Sequence, residues 1–419
     1  MKRLLACVLL PLLGSAGLAA QPAPANPATA DQAALARGNN AFAVDLYGHL
    51  STQPGNLFFS PASISTAFAM AYAGARGQTA AQMAHVFHFT LPPDRLNPAI
   101  GALLRKLNAP HPEYELRVAD ALWAERNAPF APAYLKVMQT DYAADFRRVD
   151  FQHAPEAVRG TINQWVAQET NNRIENLIGP GVLTPQTRLV LTNAIYFKGT
   201  WAKPFEKSAT NLDGEFHLSS TQTARTPLMH RSGRYPYYDG GTFQELELPY
   251  ASGNQAAHPA DELAMIVLLP KETDGLPALE KQFTAEAASQ WLAKLEPADK
   301  IILTLPRFTM TQQFELSGVL ASMGMPQAFT GAADFSGMTG KPEFSISAAI
   351  HKAFVDVNEK GTEAAAATST IMMATAMRMP QPEPPPIVFR ADHPFLFLIR
   401  DTTTGEILFL GRVEDPAKN

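Results

Sequence analysis

Between Glu359 and Phe389 the chain reads Glu359-Lys-Gly-Thr-Glu-Ala-Ala-Ala-Ala-Thr-Ser-Thr370, then a Met- and Ala-rich stretch, then Pro380-Gln-Pro-Glu-Pro-Pro-Pro386. This run of small side chains ends in a stiff proline arm and lies between two apolar, strand-like segments. Structureless stretches of this length inside a compact domain are uncommon and usually functional or disordered. The four alanines Ala364 to Ala367 favour helix, whereas Gly361 and the β-branched Thr368, Thr370 and Ile371 favour extended backbone. In an extended chain Thr362, Ala364, Ala366 and Thr368 share one face, which then carries only small uncharged groups. A segment of that kind can enter between two strands with little steric or desolvation cost. It reads as a loop able to become a strand.

The rest of the composition narrows the setting. The chain has 419 residues, 46% of them hydrophobic, and a net charge of -5. No linker or fixed-period repeat divides it, so residues 31–419 are expected to form a single domain despite their length. Arg and Lys do not cluster, which argues against nucleic acid or an anionic membrane as partner. Met1-Lys2-Arg3, the apolar stretch Leu4 to Gly14 and the small residues Ser15 to Ala20 read as a secretory signal peptide over residues 1–20. Residues 21–30, rich in Pro and Ala, read as a leader. The one cysteine, Cys7, falls within the signal, so an exported mature chain, periplasmic or extracellular, has no disulfide and no thiol chemistry.

Periodicity predicts helices over Asp31 to Gly48, Ala62 to Tyr72, Thr79 to Phe87, Leu96 to Leu107, Pro132 to Thr140 and Pro155 to Thr170. Strands are expected over Glu113 to Ala124, where Asp120 interrupts the apolar face, and over Leu189 to Phe197. From Glu215 strands dominate: Glu215–Leu218, Phe243–Leu248, Leu263–Leu269, Lys300–Pro306, Ile387–Phe389, Phe395–Arg400 and Ile407–Arg412. Two further helices are predicted, Leu276 to Leu295 and Phe314 to Met323. The class is α+β.

No constellation for covalent or metal chemistry stands out. There is no Gly-x-Ser-x-Gly turn, no Ser-x-x-Lys with partner motifs, and no Gly-rich phosphate loop. Ser60, His351 and Asp356 are a set of triad-type residues that any chain this size offers by chance. His85 and His88 lack a third ligand and read as a helix-surface pair. No catalytic residue, metal or cofactor is expected.

Five motifs carry a family resemblance. Asn56-Leu-Phe-Phe-Ser-Pro-Ala-Ser-Ile-Ser65 resembles the start of the second helix of serpins, the serine protease inhibitors. Leu191-Thr-Asn-Ala-Ile-Tyr-Phe-Lys-Gly-Thr-Trp201 with Pro204-Phe205 resembles their central strand and the turn after it. His351 to Thr368 resembles the strand and hinge leading into the reactive loop. Phe389-Arg-Ala-Asp-His-Pro-Phe-Leu-Phe397 and Phe409-Leu-Gly-Arg-Val413 resemble the C-terminal strands. The resemblance spans residues 31 to 416 and implies helices packed on three β-sheets, with an exposed reactive-centre loop near the C-terminus.

By that resemblance Ser60, Ser63, Asn193 and His351 belong to the region where the main sheet opens, and Trp201 to its top. Glu359 and Lys360 close the fixed strand, and Gly361 starts a hinge continued by Thr362, Ala364, Ala366 and Thr368. The family's count from Glu359 places the reactive bond at Thr375–Ala376, with Met377 and Arg378 as alternatives because the stretch to Phe389 is long and proline-rich. The implied partner is a serine protease, elastase-like or subtilisin-like by the size of Thr375, with trypsin-like and cysteine proteases as further options. The chain is expected to act as a monomer. The competing expectation is a serpin fold used for binding or a chaperone-like role without inhibition.

Overall fold

The computed structural model describes residues 27–142, 145–251, 263–361 and 385–418. The stretch read as a signal peptide, most of the stretch read as a leader, Thr362, Ala364, Ala366, Thr368 and the bonds around Thr375, Ala376, Met377 and Arg378 lie outside the described residues. Helix α1 (Pro27–Leu50) begins inside the stretch expected to be a leader. Pro27 suits a first helical turn and Ala28 and Ala30 propagate it, so residues 27–30 are helical.

After β1 (Leu57–Phe59) come α2 (Pro61–Gly74), α3 (Gly77–Val86), α4 (Pro93–Leu107), β2 (Tyr114–Glu125), α5 (Pro132–Thr140), β3 (Asp145–Val149), α6 (Pro155–Glu169) and β4 (Leu189–Gly199). Strands β5 (Thr210–Ser219), β6 (Gln222–Asp239), β7 (Phe243–Pro249) and β8 (Leu263–Pro270) follow, then α7 (Leu276–Gln282), α8 (Ala285–Leu292), β9 (Glu296–Pro306), β10 (Phe308–Glu315), α9 (Ser317–Met323) and α10 (Ser336–Thr339). The chain closes with β11 (Ala348–Val357), β12 (Ile387–Arg390), β13 (Phe395–Asp401) and β14 (Ile407–Val413).

The single helix expected over Leu276 to Leu295 is two, because Thr284 is extended and its side chain accepts the Ala287 N–H as the cap of α8. The helix expected from Phe314 starts three residues later, because Phe314 and Glu315 still pair with His351 and Ile350.

Fourteen strands make two hydrogen-bonded sheets among the described residues. One has five strands in the order β10-β11-β4-β2-β3; the other runs β1-β14-β13-β8-β7-β6-β9-β12, with β5 on β6. The second unites two of the three expected sheets through β6, which is 18 residues long and pairs with both β7 and β9.

The five-stranded sheet holds the feature that matters most. Strands β4 and β11 are parallel and pair directly from Val190↔Ala348 to Phe197↔Val355, while their other neighbours, β2 and β10, are antiparallel to them. Parallel pairing is slightly weaker per residue than antiparallel pairing. One face of this seam is covered by the apolar side chains of α6 and the connector after it, Ile162, Trp165, Ile174 and Leu177 against Val190, Ala194 and Ile350. The other face meets the start of α2, which is buried along nearly its whole length and also packs on β14.

Candidate functional site

Helix α2 begins where the sequence predicts. Ser60 is extended, Pro61 occupies the first turn, and the Ser60 Oγ accepts the Ser63 N–H at 3.2 Å while donating to the Leu408 carbonyl at 2.6 Å. The cap leaves the Ser60 backbone N–H pointing away from the helix, and it donates to His351 Nε2 at 3.1 Å.

Sheet register explains what His351 meets. Phe314, His351, Asn193 and Asp120 are directly opposite one another on β10, β11, β4 and β2, so they form one row across four strands. Because a backbone N–H can only donate, His351 Nε2 is the acceptor and Nδ1 carries the proton, which it donates to Asn193 Oδ1. This bond crosses the β4–β11 seam. The imidazole is fully buried beneath the Phe314 ring, and burial depresses its pKa to about 3, so it is neutral.

Asn193 passes the row onward. Its Nδ2 donates to Ser63 Oγ and to Asp120 Oδ1. Asp120 Oδ1 also accepts from Ser63 Oγ at 3.1 Å, and Asp120 Oδ2 lies 2.7 Å from the Thr66 hydroxyl. Burial raises the carboxyl pKa and the three hydrogen bonds pull it back, leaving it at about 7. Asp120 as a residue is half-buried, while its carboxyl group is enclosed by Ser63, Thr66 and Asn193. The only sign of it in the sequence is a charge in the middle of an apolar strand; Thr66 leaves no sign at all.

A second group of expected residues sits past the C-terminal ends of the same two strands. Trp201 donates its N–H to the Lys360 carbonyl at 2.9 Å and its Nε1–H to the Asn358 carbonyl at 3.0 Å, and its ring stacks on Tyr250 at 4.6 Å. Phe205 N–H donates to the Glu359 carbonyl at 2.7 Å. The Glu359 carboxylate is nearly buried, which raises its pKa. Hydrogen bonds, including those from Thr210 and Arg307, outweigh that effect and hold it below its usual value.

Gly361 occupies the mouth of the seam. It exchanges both backbone hydrogen bonds with Asn358 at 3.1 and 2.8 Å and makes an antiparallel bridge to Thr200 on its other side. The chain leaving β11 has therefore already reversed. Its first residue after the turn lies between the extensions of β4 and β11, antiparallel to both.

Two groups weighed for chemistry have other partners. His351 faces the backbone N–H of Ser60, not its hydroxyl, and Asp356 bonds Thr309 and Asn358, so the three do not form a triad. His88 pairs with Asp45 at 2.7 Å, and no group of three metal-ligating side chains occurs among the described residues.

Fold and site define a class in which the five-stranded sheet keeps a parallel seam between two central strands, β4 and β11, beside the root of a long connection. The chain belongs to the serpin family: the profile described as Serpin (serine protease inhibitor) matches residues 37–416. It is 40% identical to the human leukocyte elastase inhibitor over 91% of this chain and 99% of that protein. Among solved structures it resembles Serpin48, a highly specific serpin of the insect Tenebrio molitor, with TM-score 0.78 and 30% identity over 91% of this chain and 98% of that one. It also resembles human thyroxine-binding globulin, with TM-score 0.79 and 29% identity over 93% and 99%.

Proposed function

We propose that the protein is an exported inhibitor of serine proteases that acts as a suicide substrate. The target's serine Oγ attacks the carbonyl carbon of Thr375, the bond to Ala376 breaks, and the new amine of Ala376 leaves with the proton. Thr375 stays esterified to the protease. The freed segment then enters between β4 and β11, antiparallel to both, and carries the protease with it before water can release it.

The observation that carries this reading is Gly361, bridged to Thr200 and Asn358 at the open end of a parallel seam. Insertion there exchanges one parallel pairing for two antiparallel ones. About a dozen new ladder bonds at roughly 1 kcal/mol net each give a driving force on the order of 10 kcal/mol. The relative named an elastase inhibitor supports a protease with a small or medium apolar primary pocket, which Thr375 suits. Arg378 would instead draw a trypsin-like enzyme, cut three residues later and insert with more slack.

A second reading, a serpin fold that binds without inhibiting, is favoured by the likeness to thyroxine-binding globulin. One experiment separates the two. The mature protein is incubated with elastase-like, subtilisin-like, trypsin-like and cysteine proteases and run on a denaturing gel. A complex that survives denaturation, releasing a C-terminal fragment that begins at Ala376 by mass spectrometry, is expected. Cleavage without complex for every protease would overturn inhibition, and a fragment beginning at Met379 would move the reactive bond to Arg378.

A further inference from the structure

The row across the sheet ends on an acid that the insertion reaction does not obviously need. Asp120 pairs with Asn193 on β2–β4, and that pairing runs from Tyr114↔Gly199 to Ala124↔Leu189, entirely on one side of the seam. Opening β4 from β11 breaks the Asn193–His351 contact but leaves Asp120 between β4 and α2. Its desolvation is therefore much the same before and after opening, and what changes is its effect on Asn193.

That effect follows from the bond order in the row. Asp120 Oδ1 accepts from the Asn193 amide nitrogen, and the Asn193 oxygen accepts from His351 Nδ1. A negative charge at one end of such a chain pushes electron density toward the amide oxygen and makes it the better acceptor.

The network also accommodates a proton. The single hydroxyl hydrogen of Thr66 can go to Asp120 Oδ2 at 2.7 Å or to the Ser63 carbonyl at 2.8 Å. With Asp120 ionised it goes to the carboxylate. With Oδ2 protonated, the acid donates to Thr66 Oγ1 and Thr66 turns to Ser63 O. Both states leave every group bonded.

We propose that Asp120 is a positioning residue for strand insertion: its ionised carboxylate tightens the Asn193–His351 bond across the β4–β11 seam, and proton uptake loosens that latch. The groups facing it are Ser63 and Thr66 from α2, Asn193 from β4 and, through Asn193, His351 from β11; no charged side chain contributes to its titration. Insertion then accelerates as pH falls through about 7. The proposal rests on the insertion reading, and its test does not require a protease.

A synthetic peptide carrying residues 361–374 is added to the intact wild-type protein, and its incorporation is followed on native gels from pH 5.5 to 8.5. Wild type is expected to incorporate it faster at the acid end, by roughly fivefold, as one hydrogen bond loses its charge assistance. Asp120→Asn keeps the shape without the charge and should incorporate at the fast rate throughout. Thr66→Val removes one donor to the carboxylate and should move the midpoint to higher pH, which keeps the test alive if Asp120→Asn does not fold. The same pH dependence in Asp120→Asn, a wild type faster at pH 8.5, or no incorporation at any pH would overturn the proposal. Failure to trap any protease while this profile holds would instead overturn inhibition alone.

Discussion

Gly361 carries a backbone requirement that no other residue type meets at this position. Its φ of +133° lies where side chains are strained, and a Cβ there would press on the Gly199 carbonyl oxygen and sit 2.6 Å from Trp201 N. Gly361→Ala is expected to lower the urea midpoint of the intact protein, at a cost of about 1–3 kcal/mol, and to divert protease encounters from trapping to plain cleavage. Wild-type midpoint and complex yield together would refute it. His351 and Asp120 make a second prediction by their opposed titrations. His351 drops from 6.5 to about 3 on folding, so the stability it contributes is present above pH 6.5 and lost as pH falls toward 3. Asp120 rises from 3.8 to about 7, so its contribution is present below pH 3.8 and lost as pH rises through 7. Between about pH 4 and 6.5 the two slopes cancel. Asp120→Asn should unmask the histidine, giving a urea midpoint that climbs with pH across that window, whereas in wild type these two groups leave it level.

At the scale of elements, the proposed inserting face makes a prediction of its own. Thr362→Arg puts a charge where the strand would be buried, at a cost of several kcal/mol unless it is paired. The variant should be cut at the normal rate and form little stable complex on the denaturing gel; wild-type stoichiometry would show that the face is misassigned. Elements with strong local signals were legible in the chain. Helix α5 has the expected limits, Pro132 to Thr140, and the Ser60-Pro61 start of α2 rests on chemistry local to four residues. Strand β6 was not legible beyond its neighbours, because Pro227, Gly233 and Pro236 interrupt it and it is held by pairing with β9 some seventy residues away. Strand β10 was hidden for a similar reason. The stretch from Phe314 to Met323 reads as one helix, yet Phe314 pairs with His351 on β11 instead.

The whole molecule is expected to gain stability from being cut. If the connection between Gly361 and Pro385 is held out against a favourable insertion, a single nick between Ile371 and Met379 should raise the melting temperature markedly, as strain is released into a larger antiparallel sheet. Calorimetry before and after a confirmed nick decides it, and equal or lower melting would remove insertion from consideration. By itself the sequence determined the α+β class, most helices, the apolar strands and the run of small side chains after Gly361. Those follow from spacing and side-chain size along a few residues. Only the tertiary structure decided that β4 and β11 pair in parallel with nothing between them. It alone decided that Gly361 is already turned into the mouth of that seam. It also set Asp120, Asn193 and His351, distant in the chain, in one row beneath the start of α2. Register is a property of strands brought together by burial of both faces, and no local preference encodes which residue will face which.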